Sequence, residues 1–165
     1  MPIITPPRLE QRPARPCVGI RSDVAMAHLA TALPPHSAEL LAWLAARGQV
    51  PAGPAFWRYL VVDTAASRVK VESGFPVIVA PPGDGRVVAD TLPGGSYAVA
   101  LYHGPPDGLM QATGELLQWA QGAGIAWDMR REGPSEVWSA RIEWYLHADP
   151  IDEAAWSTEL AFLTR

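Results

Sequence analysis

The stretch from Arg141 to Pro150, RIEWYLHADP, places one carboxylate among rings and aliphatic side chains. Strand alternation sends Ile142, Trp144 and Leu146 to one face and Arg141, Glu143, Tyr145 and His147 to the other. Glutamate is depleted in strands and is rarely buried without a partner. A buried Glu143 therefore needs a cation, a hydrogen-bond donor or a proton held by a raised pKa. The alternative is an edge strand whose Glu143 face is wet. Compensated by neighbours, such a carboxylate can hold an organic cation or act as a general base.

Other chemistries find little support. Four histidines, at positions 28, 36, 103 and 147, show no metal-ligand spacing, and Cys17 is the single cysteine, so neither a metal site nor an internal disulfide is expected. No cofactor is expected: Gly83-Asp84-Gly85 and Pro93-Gly94-Gly95 separate strand-like runs and read as turns, not as phosphate cradles. The net charge is −4 with no basic run, which disfavours nucleic acid as a partner. Lys70 is the only lysine beside twelve arginines, a bias of coding and not of function. No run reaches the roughly 20 apolar residues of a membrane span, and the first residues lack an apolar signal core. A cytoplasmic protein that avoids membranes is the expectation.

With 165 residues, 48% hydrophobic and 18% charged, the chain can bury the core of one domain. The 17 prolines promise many fixed turns. Short extended segments are expected at Leu9–Gln11 and Cys17–Arg21, and Ser22–Leu33 reads as a short helix or an ordered loop. Leu40, Leu41, Trp43 and Leu44 recur at helical spacing, predicting a helix over 37–47 that ends at Gly48. Ala55–Asp63 and Arg68–Phe75 read as two antiparallel strands. Further strands are expected at Arg86–Leu92 and Ser96–His103. Pro105-Pro106-Asp107 then opens a helix over 107–122 with a stripe of Leu109, Ala112, Leu116, Trp119 and Ala120. Ala123–Pro134 reads as a loop, Val137–His147 as one strand and Trp156–Leu163 as the last.

The two halves, about 8–80 and 84–165, thus share an order of elements, and an internal repeat is expected. Trp57 to Asp63 lines up with Glu143 to Asp149, making Trp57 the counterpart of Glu143 and Tyr59 that of Tyr145.

An ordered series of short motifs then carries a resemblance: Gly74-Phe75-Pro76-Val77, Asp84-Gly85-Arg86-Val87, Leu92 to Gly95 with Tyr97-Ala98-Val99, His103 to Leu109, Glu143-Trp144-Tyr145 and Asp149-Pro150. From about Pro16 to Thr164 the chain resembles the GyrI-like small-molecule-binding domain, the module that also forms the effector-binding part of multidrug-sensing transcription regulators. The resemblance implies an α+β fold in which two pseudosymmetric strand-helix-strand-strand units form one curved antiparallel sheet with two main helices and a central ligand groove. It carries the family's functional glutamate onto Glu143. Two departures stand out: Pro106 takes a place where many relatives have tyrosine, and no DNA-reading segment precedes the domain, so a stand-alone module is expected.

On this reading Trp57, Tyr59, Glu143 and Tyr145 share one side of neighbouring strands, a box suited to lipophilic, often cationic, aromatic compounds. Tyr102, Met110 and Trp138 are further candidates for ligand binding, whereas Trp119 and Trp144 read as core. A second reading takes the resemblance to stand-alone members associated with cyclopropanoid hydrolysis: Glu143 as general base, with Tyr59 or Tyr145 donating to a carbonyl oxygen. DNA gyrase as a partner would rest on the family name alone and is not expected.

Overall fold

The computed structural model describes residues 3–165. Its strands are β1 (Ile3–Ile4), β2 (Arg8–Arg12), β3 (Arg15–Ala25), β4 (Phe56–Asp63), β5 (Arg68–Pro76), β6 (Val87–Leu92), β7 (Gly95–His103), β8 (Met129–Glu132), β9 (Ser135–Trp138), β10 (Arg141–His147) and β11 (Ser157–Leu163). The helices are α1 (Leu29–Ala32), α2 (Pro35–Ala45) and α3 (Leu109–Gly122). Every strand pairing is antiparallel, and the main path runs β1, β7, β11, β10, β4, β5, β3, β6. Two short links, Pro13-Ala14 and Pro93-Gly94, join strands from opposite ends of that path. They curl the sheet into a half-barrel. Gly94 fits that corner because a Cβ there would lie 2.7 Å from the Ala14 nitrogen.

Cross-strand partners share a face, so the registers sort the side chains. The pairs Val18 with Phe75, Trp57 with Ser73, Glu143 with Trp57, and Leu160 with Ala100 put these residues on the face that carries the helices. There α2 packs on β3 and β5, and α3 packs on β7. Leu40 and Leu44 of α2 join Val18, Ile20 and Phe75, while Leu109, Ala112 and Leu116 of α3 join Ala98, Ala100, Tyr102 and Leu160. Strands β4 and β10 lie between these two packed regions. The opposite face buries Cys17, Phe56, Tyr97, Ile142 and Trp144.

On that opposite face the fully buried Glu72 meets Arg21 at 3.0 Å and Arg58 at 3.7 Å, and both arginines also bind Asp90. The group ties β3, β4, β5 and β6 together. Gly19 makes room for it, since a Cβ there would stand 2.5 Å from Glu72 Cγ.

The expected elements are present with changed limits. Ser22–Ala25 continues β3 as strand, and only Met26–His28 and α1 turn helical, because the Ser22 to Ala25 backbone is paired along Arg68 to Val71. The expected loop over 123–134 contains β8, which forms a hairpin with β9 around Gly133, at φ +61°. The single strand expected over Val137–His147 is two: Ser139 and Ala140 interrupt it, with Ser139 Oγ donating to Asp128 at 2.7 Å. A bulge after Tyr145 shifts the register, so Leu146 is exposed and does not follow Ile142 and Trp144 inward. Among the described residues no helix is long and apolar enough to cross a membrane.

Candidate ligand site at the centre of the sheet

β10 is an interior strand, hydrogen-bonded to β11 on one side and to β4 on the other. Glu143 is accordingly only 6% exposed, and the wet-edge alternative fails. The compensation is local. Tyr59 Oη donates to Glu143 Oε1 at 2.8 Å and Tyr145 Oη donates to the same oxygen at 2.9 Å. Oε2 accepts no hydrogen bond among the described residues and is not a sealed atom, so one oxygen of the carboxylate stays open.

Burial pushes the Glu143 carboxyl above its ordinary pKa, while the two tyrosine hydroxyls and the charge of Arg141 pull it back. Burial and the adjacent carboxylate drive both tyrosine hydroxyls well above theirs. They are therefore poor acids that keep the protons they donate to Glu143.

Rings wall the carboxylate. Trp57 lies directly across from Glu143 and meets Tyr145 edge-on with centroids 5.3 Å apart. Tyr145 in turn meets Trp156 at 6.3 Å. Trp156 was not expected here; it reaches the site because its indole nitrogen donates to the Asp149 carbonyl at 2.7 Å, folding the Asp149-Pro150 turn back onto Tyr145.

Arg141, two residues before Glu143 on the same face, sits with its guanidinium 5.6 Å from the Tyr59 ring and 5.1 Å from the rings of Trp138 and Phe162. Trp127 closes this aromatic group through Trp138 and Phe162. Sequence alternation placed Arg141 beside Glu143. It could not show the three rings, which come from β4, β9 and β11.

The structure thus brings Trp57, Tyr59, Glu143 and Tyr145 together, with Trp138 one ring further along. Tyr102 and Met110 do not join the bonds around Glu143. Tyr102 Oη donates to the Pro105 carbonyl at 2.8 Å, and its buried ring packs beneath α3. Met110 lies on the outer side of α3 and is 84% exposed, because Leu109 and Ala112 take the inward positions. Trp144 is core on the opposite face, its ring tilted against Phe56 with centroids 5.2 Å apart. Two hollows, one at Trp144 with Arg15 and one at Asp63 with Lys70, do not include Glu143. No group of three or more histidine, cysteine or carboxylate side chains among the described residues is placed to hold a metal.

The model of the GyrI-like small molecule binding domain matches residues 5–137. That span stops short of Glu143, whose place therefore rests on geometry. No curated protein matches the sequence. The fold is similar to EcmrR in an EcmrR–DNA complex, with 19% identity and a TM-score of 0.79; the match covers 97% of this chain but 57% of that one. The chain thus spans little more than half of EcmrR. It is also similar to SAV2435 bound to tetraphenylphosphonium, with 14% identity, a TM-score of 0.65 and coverage of 98% and 94%. A hydrolase from Listeria innocua shows 13% identity, a TM-score of 0.62 and coverage of 96% and 91%. At these identities the likenesses establish the fold.

Proposed function

The chain belongs to the GyrI-like small-molecule-binding domain family, and we propose that within it residues 1–165 act as one binding unit for hydrophobic aromatic compounds, cations among them, held at Glu143. The observation that carries this reading is the unpartnered Oε2 of a buried carboxylate walled by Trp57, Tyr59 and Tyr145. Flat aromatic walls accept many shapes, and a carboxylate in a low-dielectric setting adds attraction for positive charge. SAV2435, which shares the fold, binds tetraphenylphosphonium, a compound of that class.

Tryptophan fluorescence reports on the site because Trp57 and Trp156 belong to it. Titration with tetraphenylphosphonium is expected to give saturable quenching, corrected for inner-filter absorption. Glu143→Gln, which keeps the shape and removes the charge, is expected to weaken binding roughly tenfold, about 1.4 kcal/mol. Equal affinity of the variant would remove the charge from the reading.

A hydrolytic role is the second reading. It is favoured by the same open Oε2 on a carboxyl whose pKa is raised toward that of a useful base. Its test is turnover: an electrophilic cyclopropane conjugated to a dienone should be opened by water through many cycles, and Glu143→Gln should abolish product. Stoichiometric capture without product leaves binding as the whole function.

A further inference from the structure

Arg141 changes what the site prefers. Its side chain is 16% exposed, and Glu136 at 3.9 Å is the one carboxylate within 4 Å of it among the described residues. It donates no hydrogen bond to the described residues, yet none of its nitrogens is sealed from solvent. Ring faces hold it instead: those of Tyr59, Trp138 and Phe162. An aromatic group that could receive a ligand's positive charge already holds one from the chain itself. Tyr59 serves both charges, donating its hydroxyl to Glu143 and offering its ring to Arg141.

Resting on the reading of Glu143 as the ligand site, we infer that Arg141 is its specificity-determining residue: it offsets the carboxylate and directs the site toward uncharged aromatic compounds that carry a carbonyl-type acceptor. The charge of Arg141 offsets that of Glu143, so the site attracts a cation less than Glu143 alone would. Guanidinium N–H donors and one carboxylate oxygen are left without partners on the same face. A planar fork of five donors suits a polarised oxygen. An uncharged ligand with such an oxygen accepts from Arg141 while its rings lie against Trp57 and Tyr145, and a permanent cation meets like charge at the same place.

The test uses two probes with the same three phenyl rings, triphenylphosphine oxide, which is neutral with a strong acceptor oxygen, and methyltriphenylphosphonium, which is a cation. Wild type is expected to bind the oxide more tightly. Arg141→Met should reverse that order, changing the ratio of the two affinities by at least about tenfold, and Arg141→Lys, which keeps the charge but loses the planar fork, should retain the wild-type order with weaker binding of the oxide. Circular dichroism checks each fold, and Arg141→Gln carries the same expectation if the methionine variant does not fold. A ratio unmoved by loss of the charge, with binding intact, overturns the role of Arg141 alone. Failure of wild type to bind either probe removes the underlying site and the inference with it.

Discussion

At the scale of single residues, Tyr59 couples the two charges of the site. Its hydroxyl stabilises ionised Glu143, and its removal has a defined sign. Burial sets the folded pKa of Glu143 above the ordinary value of about 4.3. Such a group adds stability at low pH that is lost as pH rises through the folded value, because ionisation costs more in the fold than in the unfolded chain. Tyr59→Phe takes away one donor, so the folded pKa should climb further and the decline should extend to higher pH. Thermal melts over a pH series, with the carboxyl followed by carbon NMR, check this; an unchanged titration midpoint contradicts it. Glu143 was legible in the sequence because a carboxylate alternating with rings is out of place in a strand. The role of Arg141 was not, because its partners are ring faces supplied by Trp138 and Phe162, and alternation says nothing about neighbours on other strands.

At the scale of elements, α3 combines a packed side with an open one. Leu109, Ala112, Thr113, Leu116 and Ala120 are buried, and Gly114 faces outward with nothing within 4 Å of a Cβ placed on it. Glycine inside a helix is less favourable than alanine by about 0.5–1 kcal/mol. Gly114→Ala should therefore raise the melting temperature by roughly 2–4 °C per kcal/mol gained, with ligand affinity unchanged. A lower melting temperature would mean that this side of α3 is covered. The ends of both helices and the start of α3 were readable from Gly48, Pro105 and Gly122, whose backbone preferences act locally; α2 begins at Pro35, ahead of the expected 37, because proline fits the first turn of a helix. The β8 hairpin and the break at Ser139 were not readable. MRRE carries no apolar alternation, and its pairing comes from the Gly133 turn; the break comes from a hydrogen bond to Asp128 and from Arg58 Nη2 donating to the Ser139 carbonyl at 2.7 Å.

For the whole molecule, the sheet separates the proposed binding site from the ionic group that holds strands together. Glu143 and its rings occupy the face with the helices, whereas Glu72, Arg21, Arg58 and Asp90 lock four strands on the other. Removing the buried carboxylate leaves Arg21 and Arg58 to Asp90 alone and loosens the tie between the strands. Glu72→Gln should lower the urea midpoint with little change in its slope. The folded fraction should still bind aromatic ligands as wild type does. A selective loss of ligand affinity at full stability would show that the two faces are not independent.

The last strand, β11, lies inside the sheet, flanked by β7 and β10. Until a growing polypeptide has been made through Leu163, β7 and β10 each present an unpaired edge, and β4 and β10, some eighty residues apart, have to find each other by slow long-range pairing. The proposed binding centre is thus among the latest parts to mature during synthesis. A nascent or C-terminally clipped chain would be unable to bind and prone to aggregate, which makes ligand capture a report on finished folding.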